Sequence, residues 1–176
     1  MKRLLGLLLV MGMVGCGKTV DASKLVERDG LMYEGDSETP FTGVVVAKHE
    51  NGQKASETTF KDGKIEGLVT EWYENGKKRY EGTYKDGKEE GLTTGWYENG
   101  QKSLEVTYKD GKREGPFTEW YENGQKSGEG TCKDGNVNGP LTTWHANGQK
   151  KREATYKGGA LLSDTKWDKE GNEIKD

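Results

Sequence analysis

From residue 43 onward, apolar and polar side chains alternate along short segments that recur every 24 residues. Leu68, Thr70 and Trp72 fall on one face of such a segment. Val69 and Tyr73 fall on the other face, because successive side chains of a strand point to opposite sides of a sheet. A period of two predicts half-buried β-strands rather than helices.

Two kinds of glycine turn separate the predicted strands, half a period apart. Asn-Gly recurs at 51–52, 75–76, 99–100, 123–124 and 147–148, and Asp-Gly at 62–63, 86–87, 110–111 and 134–135, with Gly158-Gly159 in the fifth place. Both dipeptides readily adopt the positive φ angles of a two-residue type I′ turn, which joins antiparallel strands. The sequence therefore predicts an all-β fold, a continuous antiparallel β-meander of 24-residue two-stranded repeats.

A two-residue loop at each Asn-Gly fixes an expected register for its hairpin. It places Trp72 opposite Arg79 and, at the far end of the same strands, Gly67 opposite Tyr84. The equivalent pairs in the other repeats are Gly43–Phe60, Gly91–Tyr108, Gly115–Cys132 and Gly139–Tyr156. We expect each aromatic ring to cover the glycine opposite it and to replace the packing that glycine lacks.

Composition limits both the core and the partners. Only 28 of the 176 residues are Leu, Ile, Val or Phe, whereas 27 are Gly, so a thick hydrophobic core is excluded. With 27 Lys and Arg against 30 Asp and Glu, the formal charge is -3. This balance leaves no large basic surface for nucleic acid.

The repeat unit carries a specific motif. Its first strand reads Gly-Leu-Val-Thr-Glu-Trp-Tyr-Glu-Asn-Gly from Gly67, and its second ends in Glu-Gly-Thr-Tyr-Lys-Asp-Gly-Lys from Glu81. The five copies resemble the bacterial variant of the MORN repeat. The resemblance implies an elongated, single-layer β-meander that binds or scaffolds other molecules and is not itself catalytic. Many bacterial relatives carry an antitoxin label.

The first residues have the features of an export signal. Met1-Lys2-Arg3 is basic, and the apolar run from Leu4 to Val14 is too short to span a bilayer. We therefore predict a signal peptide over residues 1–15. The run ends in Met13-Val14-Gly15-Cys16, which resembles the lipobox of bacterial lipoproteins.

The lipobox resemblance implies that Cys16 is the lipid-modified first residue of a mature protein anchored in the bacterial cell envelope. In lipoproteins of this kind, an Asp directly after the lipidated Cys favours retention in the inner membrane. This chain has Gly17 there, so the resemblance favours the outer membrane. The stretch from Gly12 to Thr19 also fits a phosphate-binding loop. No βαβ pattern follows it, so we do not predict a nucleotide hydrolase.

The other boundaries follow from where the repeat begins and ends. Residues 16–26 are expected to form a tether, and 27–42 an irregular capping hairpin around Asp29-Gly30. Five repeats cover 43–162. A degenerate capping hairpin is predicted over 163–176, because Trp167 arrives one residue early for the 24-residue interval.

The residues with potential chemistry occupy ordinary positions of the repeat. His49 and His145 stand where other repeats have Tyr. Cys132 also replaces a Tyr and is expected to be one unpaired thiol. No nucleophile with a base, no paired acids and no clustered metal ligands stand out, so we predict no catalytic residue, cofactor or metal site.

An aromatic stripe is the candidate binding surface. It comprises Trp72, Trp96, Trp120 and Trp144 at 24-residue intervals, with Tyr73, Tyr97 and Tyr121 beside them. One interpretation is structural, in which each indole packs on its neighbours and on stems such as those of Arg79 and Lys102. The other is an exposed stripe that contacts a partner.

Two binding functions remain open at this point. The first is an envelope-anchored scaffold or immunity-like module that binds a protein, with membrane contact through the lipid on Cys16. The alternative is a carbohydrate or cell-wall binder, because short aromatic hairpin repeats also resemble glucan- and choline-binding modules. Those modules carry rings where this chain has Lys or Glu, so a protein is the expected partner.

Overall fold

The structure, a computed structural model, describes residues 18–175. The predicted signal peptide and Cys16 lie outside the described residues. The strands are β1 (Thr19–Asp21), β2 (Leu25–Arg28), β3 (Leu31–Glu34), β4 (Gly43–Lys48), β5 (Lys54–Lys61), β6 (Lys64–Trp72), β7 (Lys78–Lys85), β8 (Lys88–Glu89), β9 (Gly91–Trp96), β10 (Lys102–Lys109), β11 (Lys112–Trp120), β12 (Lys126–Lys133), β13 (Asn136–Trp144), β14 (Lys150–Lys157), β15 (Ala160–Trp167) and β16 (Glu173–Ile174). A 3₁₀ turn, Ala22–Lys24, follows β1.

One long sheet contains almost all of these strands. Its order is β1-β4-β5-β6-β7-β9-β10-β11-β12-β13-β14-β15-β16, with β8 pairing β7 just before β9. Neighbouring strands are antiparallel apart from β1, which runs parallel to β4. The hairpin of β2 and β3 forms a separate two-stranded sheet. The predicted all-β antiparallel meander is confirmed.

The Asp-Gly turns form as predicted. Asp62 and Gly63 have φ angles of 49° and 79°, and Asp86, Asp110 and Asp134 all have φ of 51°. The flanking residues Lys61 and Lys64 pair directly, which leaves two residues in the loop. These turns are therefore of the two-residue kind that requires positive φ at both positions.

The prediction of two-residue loops at Asn-Gly is wrong. The amide of Tyr73 donates to the carbonyl of Lys77, and the amide of Gly76 donates to the carbonyl of Tyr73, both at 2.9 Å. The loop thus has three residues, and only its glycine has positive φ. The physical reason is the asparagine, since the Oδ1 of Asn75 accepts from the amide of Lys77 and stabilises the wider turn.

A bulge after each wide turn restores the expected register. Trp72 pairs with Lys78 rather than with Arg79, and Arg79 is left without a partner across the strand pair. From Glu71 and Tyr80 onward the strands match the prediction, so Gly67 lies opposite Tyr84. The pairs Gly43–Phe60, Gly91–Tyr108, Gly115–Cys132 and Gly139–Tyr156 are likewise confirmed.

Backbone conformation is what requires glycine at these positions. A side chain added at Gly91, Gly115 or Gly139 would meet no atom within 4 Å, so lack of space does not exclude one. Their φ angles lie between 85° and 101°. Each lies where the pairing with the preceding strand of the sheet shifts register, and the positive φ at that bulge suits glycine and strains other residues.

Along the middle of the packed face runs a central row with one residue from each strand between β4 and β14, apart from the short β8. The row runs Val45, Thr58, Val69, Gly82, Thr93, Val106, Phe117, Gly130, Leu141 and Ala154. Its members differ in size, with Gly82 and Gly130 between larger neighbours, and Val106 is fully buried. Phe117 and Leu141 close over Gly130, where a Cβ would lie 2.9 Å and 3.2 Å from their side chains. A sheet with few large apolar residues thereby obtains a thin core.

The N-terminal end departs from the expected tether. Residues 19–26 lie in β1, the 3₁₀ turn and the start of β2, and Val20 is buried against Phe41, Val45 and Phe60. Apolar contact with the first repeat explains why this short segment adopts a strand rather than a linker.

Near the C-terminal end, β15 has eight residues, one fewer than its counterparts β6, β11 and β13. In β6 three residues, Glu66 to Leu68, stand opposite Thr59, whereas in β15 Leu162 is the one extra residue. The early position of Trp167 therefore reflects a narrower bulge. β16 then pairs Ile174 with Lys166 and Glu173 with Trp167.

Candidate interaction surface

One face of the sheet, here called the Trp face, carries the tryptophans of the predicted stripe. Each pairs across its hairpin with a lysine, and the pairs are Trp72–Lys78, Trp96–Lys102, Trp120–Lys126 and Trp144–Lys150. All four indoles are half-buried. The sheet thus brings the predicted tryptophans together in one row along the edge formed by the Asn-Gly turns.

Lysines of one hairpin also cover indoles of the next repeat. The Nζ of Lys54 lies 5.1 Å from the ring centre of Trp72, and that of Lys78 lies 5.8 Å from Trp96. The distances for Lys126 over Trp144 and Lys150 over Trp167 are 6.0 Å and 5.1 Å. Cation–π attraction and the apolar lysine stems therefore shield part of each of these rings. The stem expected from Arg79 is used elsewhere, because Arg79 forms an ion pair with Glu71 at 2.9 Å.

The same lysines are neutralised by glutamates three residues along the strand. The ion pairs are Lys54–Glu57 at 2.5 Å, Lys78–Glu81, Lys102–Glu105 at 2.6 Å, Lys126–Glu129 at 2.6 Å and Lys150–Glu153 at 2.5 Å. Each is exposed and contributes little to stability. Their main effect is that the Trp face carries alternating charges rather than a field of one sign.

Beside the indoles runs a row in which glutamate and threonine alternate from strand to strand. Its members are Glu57, Thr70, Glu81, Thr94, Glu105, Thr118, Glu129, Thr142, Glu153 and Thr165. Thr70 and Thr94 are buried beneath the longer side chains around them. Neighbouring strands lie about 4.8 Å apart, so the glutamates repeat roughly every 10 Å along the array.

A third row on this face is apolar and was missed by the sequence analysis. Leu68 and Leu92 are 51% and 57% exposed, and Pro116 and Pro140 occupy the equivalent places in later repeats. The signal was present, because an apolar residue follows each repeat-opening glycine on the face predicted for Trp72. This row adds apolar surface to the Trp face, on the far side of the glutamate and threonine row from the indoles.

A groove of about 360 Å³ opens at the start of the Trp row. Gln53, Lys54, Trp72 and Gly76 line it, so it lies between two successive Asn-Gly turns. It is a shallow surface feature rather than an enclosed cavity. Such a surface suits contact with an extended or convex partner rather than enclosure of a small substrate.

The tyrosines of the predicted stripe have a structural role. The hydroxyls of Tyr73, Tyr97 and Tyr121 donate to the carbonyls of Trp96, Trp120 and Trp144 at 2.7, 2.6 and 2.8 Å. His49 and His145 do the same through Nε2, to the carbonyls of Trp72 and Trp167 at 2.8 and 2.9 Å. A carbonyl only accepts, so both imidazoles carry a proton on Nε2. This position therefore joins each repeat to the next.

The packed face holds a polar cluster beside the central row. The hydroxyl of Tyr80 donates to Glu89 Oε1 at 2.7 Å and lies 3.1 Å from the hydroxyl of Tyr84. Burial raises the pKa of both phenols above the ordinary value, and Glu89 adds to the effect on Tyr80. The Oγ1 of Thr93 is buried nearby without a hydrogen-bond partner. The raised pKa values keep both phenols neutral.

Cys132 lies in the core. It is 3% exposed and packs with Val106 and Phe117, opposite Gly115 as predicted. Burial raises the pKa of the thiol, and the positive charge of Arg113 opposes that shift. A protonated, buried thiol is poorly reactive, so its position is explained by packing.

The described part of the chain contains no group of three or more His, Cys, Asp or Glu side chains arranged to hold a metal ion. Between residues 18 and 175, no helix has both the length and the apolar character needed to cross a bilayer.

The repeats seen in the structure correspond to a known family. The family model described as MORN repeat variant matches residues 41–62, 65–86, 89–110, 113–134 and 137–157. A comparison with curated proteins finds none that matches this chain. Repeats of this family are typically non-catalytic and generally mediate association with proteins or membranes. The match covers more than half of the chain, and the chain therefore belongs to the MORN repeat variant family.

Proposed function

We propose that this protein is a non-enzymatic interaction module of the bacterial cell envelope that binds a protein partner along the Trp face. The proposal includes a lipid on Cys16 and favours the outer membrane, both from the lipobox resemblance. A scaffold and an immunity-like neutraliser of an envelope toxin are the two forms such a binder can take. The observation that carries the proposal is the repeated set of rows on one exposed face.

The chemistry of this face favours a protein over the other partners considered. The apolar row of Leu68 and Leu92 offers surface that association would remove from water. The half-buried indoles lie on the other side of the glutamate and threonine row, and tryptophans are among the side chains that dominate protein interfaces. The Lys–Glu pairs place both signs of charge side by side, so a polyanion gains no net attraction.

A glycan partner is the weaker alternative. Sugar binding needs an open aromatic face, but Lys54 and Lys150 already lie over the rings of Trp72 and Trp167. A sugar would have to displace these lysines and break their ion pairs with Glu57 and Glu153. This cost recurs at several repeats of the row, and a protein that contacts the leucine row does not incur it.

The test is crosslinking in cells followed by affinity capture of the full-length protein. We compare the wild type with Leu68→Ser/Leu92→Ser and with Trp96→Ala/Trp120→Ala. The leucine variant changes only exposed side chains, so its fold is expected to persist. Val26→Ser is the matched control, because Val26 is also exposed (46%) but lies in the β2–β3 hairpin.

A discrete protein captured by the wild type and by Val26→Ser, and lost from both double variants, supports the proposal. Purified protein must keep the wild-type circular dichroism spectrum for the loss to count. Retention of cell-wall glycan alone, abolished in Trp96→Ala/Trp120→Ala, would replace the protein partner by the glycan alternative. Equal capture by all variants would show that the Trp face is not the binding surface.

A further inference from the structure

The point at which the chain joins the sheet is fixed very close to Cys16. The carbonyl of Lys18 accepts from the amide of Val44 at 2.9 Å, and Lys18 Nζ forms an ion pair with Glu34 at 2.5 Å. β1 then pairs residue by residue with β4, from Thr19 and Val44 to Asp21 and Val46. The ordered sheet therefore begins at residue 18 without a spacer.

Packing holds this segment in place as well. Val20 is 8% exposed within a cluster that includes Phe41 and Phe60. A Cβ added at Gly43 would collide with the carbonyl oxygen of Lys18, so glycine is what allows the incoming chain to lie on β4. Displacing β1 would expose an apolar side chain and leave Val44 without its hydrogen bond. Lys18 is thus a fixed point of the fold.

We propose that the lipid on Cys16 mounts the N-terminal end of the sheet directly on the membrane surface, with Gly17 as the whole of the linker. This inference rests on the proposed lipidation. Consecutive Cα atoms are about 3.8 Å apart, so the Cα atoms of Cys16 and Lys18 lie within about 8 Å of each other. The partner of this end of the molecule is the lipid surface itself.

The charges around Lys18 define the kind of lipid surface that fits. Residues 18–42 contain three basic side chains, including Lys24 and Arg28, against six acidic ones, so this end carries a formal charge of -3. Anionic headgroups repel a segment with this net charge. The N-terminal end therefore fits a mainly zwitterionic surface.

Direct mounting also sets how far the Trp face reaches. Ten strand-to-strand steps separate β4 from β15, which corresponds to about 48 Å at the usual strand spacing. A partner must come within this distance of the membrane to contact the whole face. The repeat number, rather than a flexible tether, fixes the reach.

The experiment uses full-length lipidated protein in phosphatidylcholine vesicles with a fluorescent headgroup acceptor. A donor dye is attached at Ser37→Cys in a Cys132→Ala background, because Ser37 lies in the exposed loop after Glu34. The comparison variant carries a Gly-Ser insertion of about 12 residues between Gly17 and Lys18, with an r.m.s. span of roughly 19 Å. A second variant, Val20→Asp, is designed to release β1 without changing the length.

We expect energy transfer to fall at least about twofold with the insertion, because its r.m.s. span is more than twice the length of the native link. Energy transfer should also fall in Val20→Asp. Adding phosphatidylglycerol to the vesicles should lower energy transfer for the native protein. Equal transfer with and without the insertion would overturn direct mounting. Mass spectrometry of Cys16 separates the two proposals, since a missing lipid removes the anchor itself, whereas equal transfer with lipid present refutes only the close contact.

Discussion

At the scale of single residues, two hydrogen-bonding ladders along the edges of the sheet explain why the two turn types use different amino acids. The Nδ2 of each turn asparagine donates to a carbonyl of the next repeat, from Asn51 to Glu74 at 2.9 Å and from Asn99 to Glu122 at 2.7 Å. At the other edge, the amides of Asp86 and Asp110 donate to the carboxylates of Glu66 and Glu90. Asparagine is needed where the side chain must both donate and accept.

This difference predicts a strong effect at Asn99. In Asn99→Asp the side chain still accepts from the amide of Gln101, but it loses the donor and places a carboxylate against the carbonyl of Glu122. We expect a loss of about 0.5 to 1.5 kcal/mol in the free energy of unfolding, measured by urea denaturation, because this hydrogen bond is exposed. Asp110→Asn is the matched control and should be nearly neutral, because Asn tolerates positive φ. Equal effects at the two turns would contradict the ladder.

The buried phenols predict how stability depends on alkaline pH. The folded protein holds the proton of Tyr80 more tightly than the unfolded chain does, because burial raises its pKa. Its contribution to stability is therefore complete below the ordinary tyrosine pKa of about 10 and is lost as the pH rises above it. A tyrosinate absorbance titration should show a late ionisation step that coincides with unfolding, and the amplitude of this step should be smaller by about one tyrosine in Tyr80→Phe, because Tyr84 is also held neutral by burial. Ionisation of Tyr80 in a protein that keeps its circular dichroism spectrum would refute this.

At the scale of the hairpin, each repeat contains a wide turn and two bulges. Together they give most of the strand pairs that a two-residue loop alone would give. The three-residue loop at Asn75-Gly76 shifts the pairing by one residue, and the bulge at Arg79 shifts it back. The bulge at Gly67 then allows β6 to pair differently with β5. The two faces of the sheet therefore stay in phase along the array.

The bulge glycines predict a purely conformational cost. In Gly91→Ala the new methyl group meets no atom within 4 Å, but the residue must keep a φ of 85°. We expect a loss of about 1 to 2 kcal/mol in unfolding free energy by chemical denaturation. Gly128→Ala is the matched control, because its φ is not positive and its nearest neighbour is at 3.5 Å, so it should be neutral or slightly stabilising. A larger loss at Gly128 would contradict this assignment.

The sequence allowed the strands, the Asp-Gly turns and most of the register to be predicted, because each depends on local periodicity and turn chemistry. The wide Asn-Gly turn could not be predicted, since the hydrogen bond from Asn75 to Glu98 is seen only once neighbouring repeats are stacked. The position of β1 likewise depends on a contact of Val20 with residues far along the chain. At the interaction surface, the row of tryptophans and the packing of lysine stems on indoles were predictable, whereas the reach of each lysine to the indole of the next repeat was not.

At the scale of the whole molecule, the array is held together by contacts between adjacent repeats. The hydroxyl of Tyr97 and the side-chain amide of Asn99 donate hydrogen bonds to backbone carbonyls of the next repeat, and the ammonium group of Lys78 lies over the indole of the next repeat. Each of these contacts recurs with the 24-residue period. Stability should therefore be close to a sum of repeat and nearest-neighbour terms.

Deletion of one period tests this additivity. Removing residues 91–114 brings Glu90 to Gly115, and Trp120 then takes the place of Trp96 as the acceptor for Tyr73. We expect a folded protein that unfolds cooperatively with an m-value lower by about 15%, because less surface is exposed on unfolding. Circular dichroism melting and urea denaturation measure both properties.

Removing half a period gives the decisive contrast. Deletion of residues 91–102 removes one strand and reverses the direction of every later strand relative to the first repeats. The Asn-Gly turns at 123–124 and 147–148 would then lie on the edge occupied by Asp62 and Asp86, so the ladders on both edges break. We expect this shorter deletion to abolish cooperative unfolding although it removes fewer residues. If it were as stable as the full-period deletion, the stacked edges would not be what specifies the fold.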